Sequence, residues 1–410
     1  MKDIEKEVKS QLEILKSEPV PSQELVTEEE LAERLKRSLL HSQPLRVKLG
    51  IDASGPEIHL GFAVVLRKLR RFQELGHIAV LIVGDFTGQI GDPSGRSKTR
   101  PQLTREEIEK NMARYQEQIF KILIPEKTEF RYNSEWNGAL TSEEIINLTS
   151  KYTLARILER EDFSKRLKEG NPVYLHEILY PLFQGYDSVA IKADVELGGE
   201  DQFWNLLVGR ELMREYNLPP QVIMTVPLLE GLDGKLKMSK SYNNYVGITE
   251  PPFEMFGKIM SIPDTMILRY FSLATNRSPS EIKEISERLK AGENPREIKS
   301  LLAKDIVTIY HSAEAAEKAA SEFDRIFKYK ELPEIIPTYR SPKEVISLVE
   351  LLFTAKLLPS KSEARRKISE GGVYVDGEKI RDINHILSID KEKIIRVGPR
   401  KFLKVLPPLT

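Results

Sequence analysis

The stretch that most constrains the fold runs from Arg46 to Gly76, RVKLGIDASGPEIHLGFAVVLRKLRRFQELG, and continues into HIAVLIVGDFTG. The first part reads as a buried strand, a tight turn and an amphipathic helix whose first turn holds His59, Leu60 and Gly61. The second part is a near-continuous apolar run, as expected of a parallel strand covered on both faces. Strand, helix and strand make a right-handed βαβ crossover, and with it an α/β domain on a Rossmann-like parallel sheet. A strand that feeds a helix in this way gathers unpaired backbone N–H groups and the positive end of the helix dipole at one place. That place suits an anion, most often a phosphate. Gly50, Asp52, Ser54, Gly55 and His59 are small or hydrogen-bonding, in keeping with this, although an ordinary βα connection would look similar on this stretch alone.

Length and composition narrow the classes. A chain of 410 residues can form two or three domains, each with its own core. Its 62 basic and 62 acidic residues cancel, so no global charge points to nucleic acid or membrane, yet the segment from Ser341 to the end is basic, with 14 Lys and Arg against 9 Asp and Glu. The absence of cysteine excludes disulfides, thiolate zinc sites and cysteine nucleophiles. The first residues, MKDIEKEVKSQLEILKSE, are charged and helical rather than a signal peptide, and no apolar run reaches the length of a membrane span. A cytoplasmic protein with no membrane contact is the expectation.

Along the chain, residues 1–44 read as helical, with a capping-box start at Thr27 before Glu28 to Glu30. The loop GQIGDPSGRSKTRP, with Arg96, Lys98 and Arg100, follows a strand end, the ligand edge of an open α/β sheet. Thr104 and Glu107 cap a helix to about Leu123, a short strand spans Glu129 to Tyr132, and one long helix runs from about Ser142 to Arg160. In YLHEILYPLFQGYDSVAI, Tyr180, Gln184 and Asp187 fall at i, i+4 and i+7 and share one helical face. Their apolar flanks argue for burial, where polar groups need partners, and a ligand is one such partner. ADVELGGEDQFW repeats the strand-to-helix logic, with Asp201 and Gln202 at the helix start. Helices dominate from Pro252 to about Phe327, and VISLVELLFTAKLL reads as another. Between them ELPEIIPTYRSP, with three prolines, is a linker.

Two short motifs carry the chemistry. Lys237-Met238-Ser239-Lys240-Ser241 sits in a loop preceded by Gly231 and Gly234, and its two lysines can close over a polyphosphate. Taken with His59-Leu60-Gly61 on a nucleotide-binding crossover far upstream, this is a specific pairing. The basic helix and glycine hairpin of SKSEARRKISEGGVYVDGEKI suit a nucleic-acid backbone.

These residues resemble a class I aminoacyl-tRNA synthetase, and more narrowly the bacterial-type tyrosyl-tRNA synthetases. HLGF resembles the first class signature, and KMSKS is an unaltered copy of the second. VKLGIDAS, GDFTGQIGDPSG, YPLFQGYDSVA and LGGEDQ resemble the tyrosine pocket, and the terminal segment resembles the family's small RNA-binding module. The resemblance implies an α/β catalytic domain with a connective insertion over 46–230, behind an N-terminal helical segment, 1–45. It further implies a KMSKS loop and α-helical anticodon-side domain over 231–330, a linker at 331–342 and a small α+β RNA-binding module at 343–410.

Carried over by position, Tyr180, Gln184 and Asp92 would hold the α-amino group of tyrosine, Asp187 its phenolic hydroxyl, and Asp201 and Gln202 would complete the floor. Gly50, Asp52, Ser54, His59 and Gly61 would hold ATP, with Lys237, Ser239, Lys240, Arg96 and Arg100 about its phosphates. His59, Ser54, Lys237 and Lys240 would be catalytic, and Lys361, Arg365, Arg366 and Lys367 would meet tRNA. The resemblance implies ATP as substrate with Mg2+, no bound organic cofactor, no protein-bound metal site, tRNA(Tyr) and tyrosine as partners, and a homodimer. Two positions depart from the family: Phe62 stands where most relatives have a second histidine, and Lys48 stands where some offer a tyrosine hydroxyl to the substrate phenol. The second departure leaves the phenol to Asp187 or to a residue that the sequence does not mark. Two rival readings remain at this point: another class I nucleotidyl transferase, or a synthetase-derived RNA-binding or splicing protein without charging activity.

Overall fold

The computed structural model describes residues 2–51, 57–92, 104–328, 332, 336–398 and 401–408. The chain divides into two compact units, residues 1–251 with 258–312, and residues 252–257 with 313–410. The expected residues Asp52, Ser54, Arg96 and Arg100 lie outside the described residues.

In chain order the first unit begins with α1 (Lys2–Ser17), β1 (Leu25–Val26), α2 (Glu28–His41), β2 (Arg46–Ile51), α3 (Leu60–Glu74), β3 (Ile78–Val83), α4 (Arg105–Ile119) and β4 (Thr128–Tyr132). It continues with α5 (Ser134–Asn137), α6 (Ser142–Ser150), α7 (Leu154–Leu158), α8 (Glu161–Lys168), α9 (Leu175–Ile191), β5 (Val195–Gly199), α10 (Phe203–Glu215) and β6 (Val222–Val226). After these come α11 (Pro252–Met260), of which residues 252–257 belong to the second unit, α12 (Ile267–Ala274), α13 (Pro279–Lys290) and α14 (Pro295–Tyr310).

The sheet order is β1-β6-β5-β2-β3-β4, with β2 to β6 parallel and β1 antiparallel at the edge. The chain builds outward from β2 through β3 to β4, then restarts on the other side with β5 and β6. The carboxyl ends of β2 and β5, at Gly50 and Gly198, therefore flank the crevice where the strand order reverses, the preferred ligand position of such sheets. β3 and β6 are buried almost along their whole length, as their continuous apolar sequence requires. Helix α3 buries Leu60, Ala63, Val64, Leu66, Leu69 and Phe72. Its buried cations are satisfied by backbone carbonyls: Arg67 donates to Leu273 O at 2.8 Å and Lys68 to Val20 O at 2.7 Å. Helices α9 and α10 touch closely because Gly185 faces Gly209, and a methyl added at Gly185 would lie 3.1 Å from the Gly209 Cα.

Four local expectations are corrected. Residues 1–44 are not wholly helical: α1 ends ahead of Pro19, and Leu25–Val26 pairs with Ile223 and Met224 on the edge of β6. Thr27 does cap α2, accepting from Glu30 N–H, but the Glu30 carboxylate goes to Arg210 at 2.6 Å rather than back to the cap. The single helix over 142–160 is two, because Thr153 caps a new start by accepting from Arg156 N–H. In the tail, Val345–Ser347 is a strand that precedes its helix, and Thr338–Arg340 within the 331–342 segment is a strand too.

The second unit contains α15 (Ala313–Phe327), β7 (Thr338–Arg340), β8 (Val345–Ser347), α16 (Leu348–Thr354), α17 (Lys361–Ser369), β9 (Val373–Val375), β10 (Glu378–Ile380), β11 (Ile386–Ser388), β12 (Lys393–Val397) and β13 (Lys401–Leu406). Its sheet runs β10-β9-β12-β13-β7, beside a two-stranded β11-β8 pair. Leu348, Leu351, Leu352, Ala364, Ile368, Val373 and Ile395 share one buried core. Ala364 and Ile368 turn α17 inward, which leaves Lys361, Arg365 and Arg366 exposed and Lys367 half-buried.

The start of α9, the helix with the polar face, is fixed by a buried ion pair. Arg166 reaches both oxygens of Glu177, at 2.8 and 2.9 Å, and the same carboxylate accepts the Tyr174 N–H at 3.0 Å. Replacing Glu177 with alanine takes the carboxylate away from a buried guanidinium and is expected to cost about 3–5 kcal/mol. Glu314→Ala, at the exposed pair with Lys318, should cost at most about 0.5 kcal/mol. Urea denaturation of the two variants checks the contrast, and equal losses would contradict it.

Candidate active site

The site is built from backbone outward. At the carboxyl end of β2 the chain passes to His59, whose extended conformation makes it the N-cap of α3, with Nδ1 accepting the Phe62 N–H at 3.2 Å. The next free amide, Gly61 N–H, donates to the Met238 sulfur at 3.3 Å. Around this contact Leu60 N–H donates to Val246 O and Ile248 N–H to Ile58 O, both at 2.9 Å. The two motifs, far apart in sequence, are therefore one local structure. Gly61 is required there: a methyl would stand 3.1 Å from Met238 Cβ and 3.2 Å from His59 Nδ1.

Both motif lysines have partners. Lys237 Nζ lies 2.6 Å from Asp201 Oδ2, and Lys240 Nζ donates to the Tyr115 hydroxyl at 2.9 Å, above the edge of its ring. His59, half-buried and facing these two lysines, is a neutral base: desolvation first, then Lys240 and Lys237, push it down to about 4. The turn after β5 brings in Gln202, whose amide donates to Asp92 Oδ2 at 2.9 Å and whose carbonyl accepts from Asn205.

Helix α9 supplies the opposite wall. Tyr180, Gln184 and Asp187 all face one cavity of about 310 Å³, and Gln184 Oε1 is buried there with no hydrogen-bond partner. Asp187 is fully enclosed. Its carboxylate accepts from Trp136 Nε1 at 2.8 Å, Asn137 Nδ2 at 3.0 Å and Asn133 Nδ2 at 3.4 Å. Burial still dominates and pushes the carboxyl up to about 6, against the pull of Lys48 and the Trp136 and Asn133 donors, with Glu196 adding to the rise. Lys48 does not reach the cavity as a phenol donor: it is buried against Glu196, at 2.8 Å.

The same cavity is lined by twelve of the expected residues: Gly50, His59, Gly61, Asp92, Tyr180, Gln184, Asp187, Asp201, Gln202, Lys237, Ser239 and Lys240. Phe62 lines it as well. Lys361, Arg365, Arg366 and Lys367 belong to the second unit and form the outer face of α17. Sequence reasoning missed Tyr115, Asn133, Trp136 and Asn137. The last three stand in RYNSEWN, directly after a strand on the ligand edge, where a tryptophan among amides was a usable signal.

Comparisons with known proteins agree with one another. Residues 40–328 match the family model described as tRNA synthetases class I (W and Y), and residues 328–404 match the tyrosine–tRNA ligase SYY-like C-terminal domain. The tyrosine–tRNA ligase of Carboxydothermus hydrogenoformans is 55% identical over 407 residues, covering 98% of each chain. That of Thermotoga maritima is 52% identical over 396 residues, covering 96% of this chain and 97% of the relative. Among solved structures, a C-terminally truncated mitochondrial tyrosyl-tRNA synthetase from Aspergillus nidulans superposes with a TM-score of 0.61 at 19% identity, covering 80% of this chain and 100% of that one. The tyrosyl-tRNA synthetase from Archaeoglobus fulgidus, solved with L-tyrosine, gives 0.59 at 22% identity, covering 76% and 99%. At these identities the structural matches speak for the fold.

The depressed His59 has a measurable sign. The unfolded chain takes up a proton near 6.5 that the folded imidazole refuses until about 4, so this group makes stability fall as pH drops across that window, by up to about 1.4 kcal/mol per pH unit. An NMR titration of the imidazole should show His59 neutral at pH 5.5. A midpoint near 6.5 would contradict the half-buried, lysine-facing geometry.

Proposed function

The chain belongs to the class I aminoacyl-tRNA synthetases, in the tyrosine–tRNA ligase family, and we propose how its residues divide that family's reaction. The chain uses ATP to join tyrosine to tRNA. First the tyrosine carboxylate attacks the α-phosphate of ATP, forming a carboxylate oxygen–phosphorus bond as the bond to pyrophosphate breaks. Then a hydroxyl of the terminal ribose of tRNA(Tyr) attacks the tyrosyl carbonyl, losing its proton as the new ester forms and the carbonyl carbon–oxygen bond to AMP breaks. A carboxylate is ionised at neutral pH, so the first step needs no general base, and the residues required are those that orient and neutralise charge.

The observation that carries the assignment is the fully enclosed Asp187, held by three fixed donors at the cavity wall. Its remaining acceptor capacity meets the phenolic hydroxyl, and phenylalanine would leave that buried carboxylate unmatched. One turn away the unpartnered Gln184 Oε1 supports an ammonium position, shared with Tyr180 and Asp92, and Asp201 with Gln202 completes the floor. At the other end Gly50, His59 and Gly61, with Asp52 and Ser54, hold ATP. His59 does so as a neutral hydrogen-bonding group, which leaves positive charge to the lysines.

Lys237, Ser239 and Lys240, with Arg96 and Arg100, serve the pyrophosphate. In that role Lys237 leaves Asp201 and Lys240 leaves Tyr115, a small movement of a loop already docked on α3. Mg2+ would enter on the phosphates of ATP. Within this reading 46–230 is the catalytic domain, 231–330 the KMSKS and anticodon-side helical domain, and 343–410 the RNA-binding module. The basic face of α17, with Lys361, Arg365, Arg366 and Lys367, meets tRNA. A homodimer is supported by apolar side chains left exposed between residues 142 and 175, among them Ile146 at 69% and Leu175 at 80%. The protein works in the cytoplasm.

ATP–pyrophosphate exchange separates the two ends of the cavity. Asp187→Asn should raise the KM for tyrosine by at least about tenfold and leave the KM for ATP within about twofold, a loss of about 1.4 kcal/mol or more confined to the phenol. Lys240→Ala should slow exchange by about two to three orders of magnitude with tyrosine affinity near normal. Equal effects on both substrates in both variants would overturn the assignment. Deleting residues 343–410 should spare exchange and impair aminoacylation of tRNA, and a truncated protein that charges tRNA at the full rate would remove the module from the account.

A further inference from the structure

Lys48 is the largest unexplained group near the tyrosine pocket. It stands on β2 with a fully buried side chain, 0% exposed, and its ammonium has three donors. All three are engaged. They reach Gln184 O at 3.0 Å, Ser188 Oγ at 2.7 Å and Glu196 Oε1 at 2.8 Å. Glu196 is equally committed, since its second oxygen accepts from Ser188 Oγ and Gln221 Nε2, each at 2.7 Å. A phenol entering the cavity therefore finds no spare donor on Lys48.

The partners of that ammonium are what give it a role. Gln184 and Ser188 lie on α9 on either side of Asp187, and the bond to the Gln184 carbonyl ties the helix backbone itself to β2. The clamp thus holds the helical turn that carries Asp187, while Trp136, Asn137 and Asn133 hold its carboxylate. We propose that Lys48 is a positioning residue for tyrosine selection, which fixes the Asp187 turn of α9 against β2 and places a buried positive charge behind it, without touching the substrate.

The charge count follows from the same geometry. The titratable groups facing Asp187 are Lys48 on β2 and Glu196 on β5, while α5 and Asn133 before it present neutral donors. With Lys48 present, the ammonium pairs with Glu196 and its charge also favours the ionised Asp187. Without it, that pull on Asp187 is gone while the Glu196 carboxylate that opposes it remains, so Asp187 holds its proton to higher pH. Asp187 then loses the acceptor state that distinguishes a phenol from a plain ring. Glu196 acts with the opposite sign, so removing its charge makes Asp187 easier to ionise.

The inference rests on the reading that Asp187 receives the phenol, and the test separates the two. In the full-length enzyme, the pH profile of kcat/KM for tyrosine in pyrophosphate exchange is followed for Lys48→Gln and Glu196→Gln, with the KM for ATP as internal reference. Lys48→Gln should move the acid limb up by about one pH unit and raise the tyrosine KM at pH ~5 by about tenfold, with the ATP KM within about twofold. Glu196→Gln should move the limb down. Acid limbs that coincide with the unmodified enzyme, or tyrosine and ATP KM values that rise together, would overturn the proposal and leave Lys48 a structural ion pair.

If a single variant is too unstable to assay, the double variant Lys48→Gln with Glu196→Gln decides, because it removes the buried ion pair as a unit and strands neither of its partners. It should keep the acid limb near its original pH with a raised tyrosine KM from the loosened clamp, and an unchanged tyrosine KM would overturn the proposal. A normal tyrosine KM in Asp187→Asn would remove the pocket reading itself, whereas a raised one with silent Lys48 variants would remove only this inference.

Discussion

A carboxyl group with no access to water is unstable in its charged form unless the protein supplies donors and compensating charge, and the first unit is arranged around that requirement at Asp187. Helix α9 carries the group, the short α5 region brings Trp136, Asn137 and Asn133 onto its oxygens, and β2 and β5 contribute Lys48 and Glu196 behind it. Burial nevertheless wins and leaves the carboxyl near 6. The raised value means that stability falls as pH rises from 3.8 to about 6, with the full cost present above that, a cost that fits the proposed use of the group to select a hydroxyl.

The other end of the cavity solves the complementary problem, that of placing positive potential without a fixed excess of charge. The N-terminus of α3 supplies backbone amides, one capped by His59 and the next by the Met238 sulfur. Lys237 and Lys240 rest on Asp201 and Tyr115, groups that hold them near the site and can give them up. In the proposed reading, one sheet crevice joins a hydroxyl-reading pocket to a polyphosphate cradle, with the reacting carboxylate and phosphorus between them. In that reading no general base is needed, and His59, kept neutral by desolvation and the two lysines, does not supply one.

Much of this was legible in the sequence because its signals are local. The βαβ unit, the helix start at His59, the KMSKS loop and the one-sided Tyr180, Gln184 and Asp187 pattern each depend on spacing within one element, and a helix or strand period reads them directly. What was missed depends on tertiary closure. Asn133, Trp136 and Asn137 become ligands of Asp187 only when the end of β4 is brought beside α9. The burial of Lys48 is invisible to a pattern in which lysine marks a solvent-facing position. Leu25–Val26 becomes a strand because the edge of β6 is presented to it, and the break at Thr153 reflects a cap that competes with a continuous apolar periodicity.

The central claim is that an ionised, buried Asp187 reads the substrate hydroxyl, and calorimetric binding of tyrosine and phenylalanine to the unmodified protein between pH 5 and 8 tests it without altering a residue. The α-amino and carboxyl groups of the two ligands keep their charges over that range. The account predicts that tyrosine is preferred most at pH 8, and that the ratio of the two affinities shrinks as pH falls through about 6, where the carboxyl takes its proton. A ratio that stays constant across the range would contradict it.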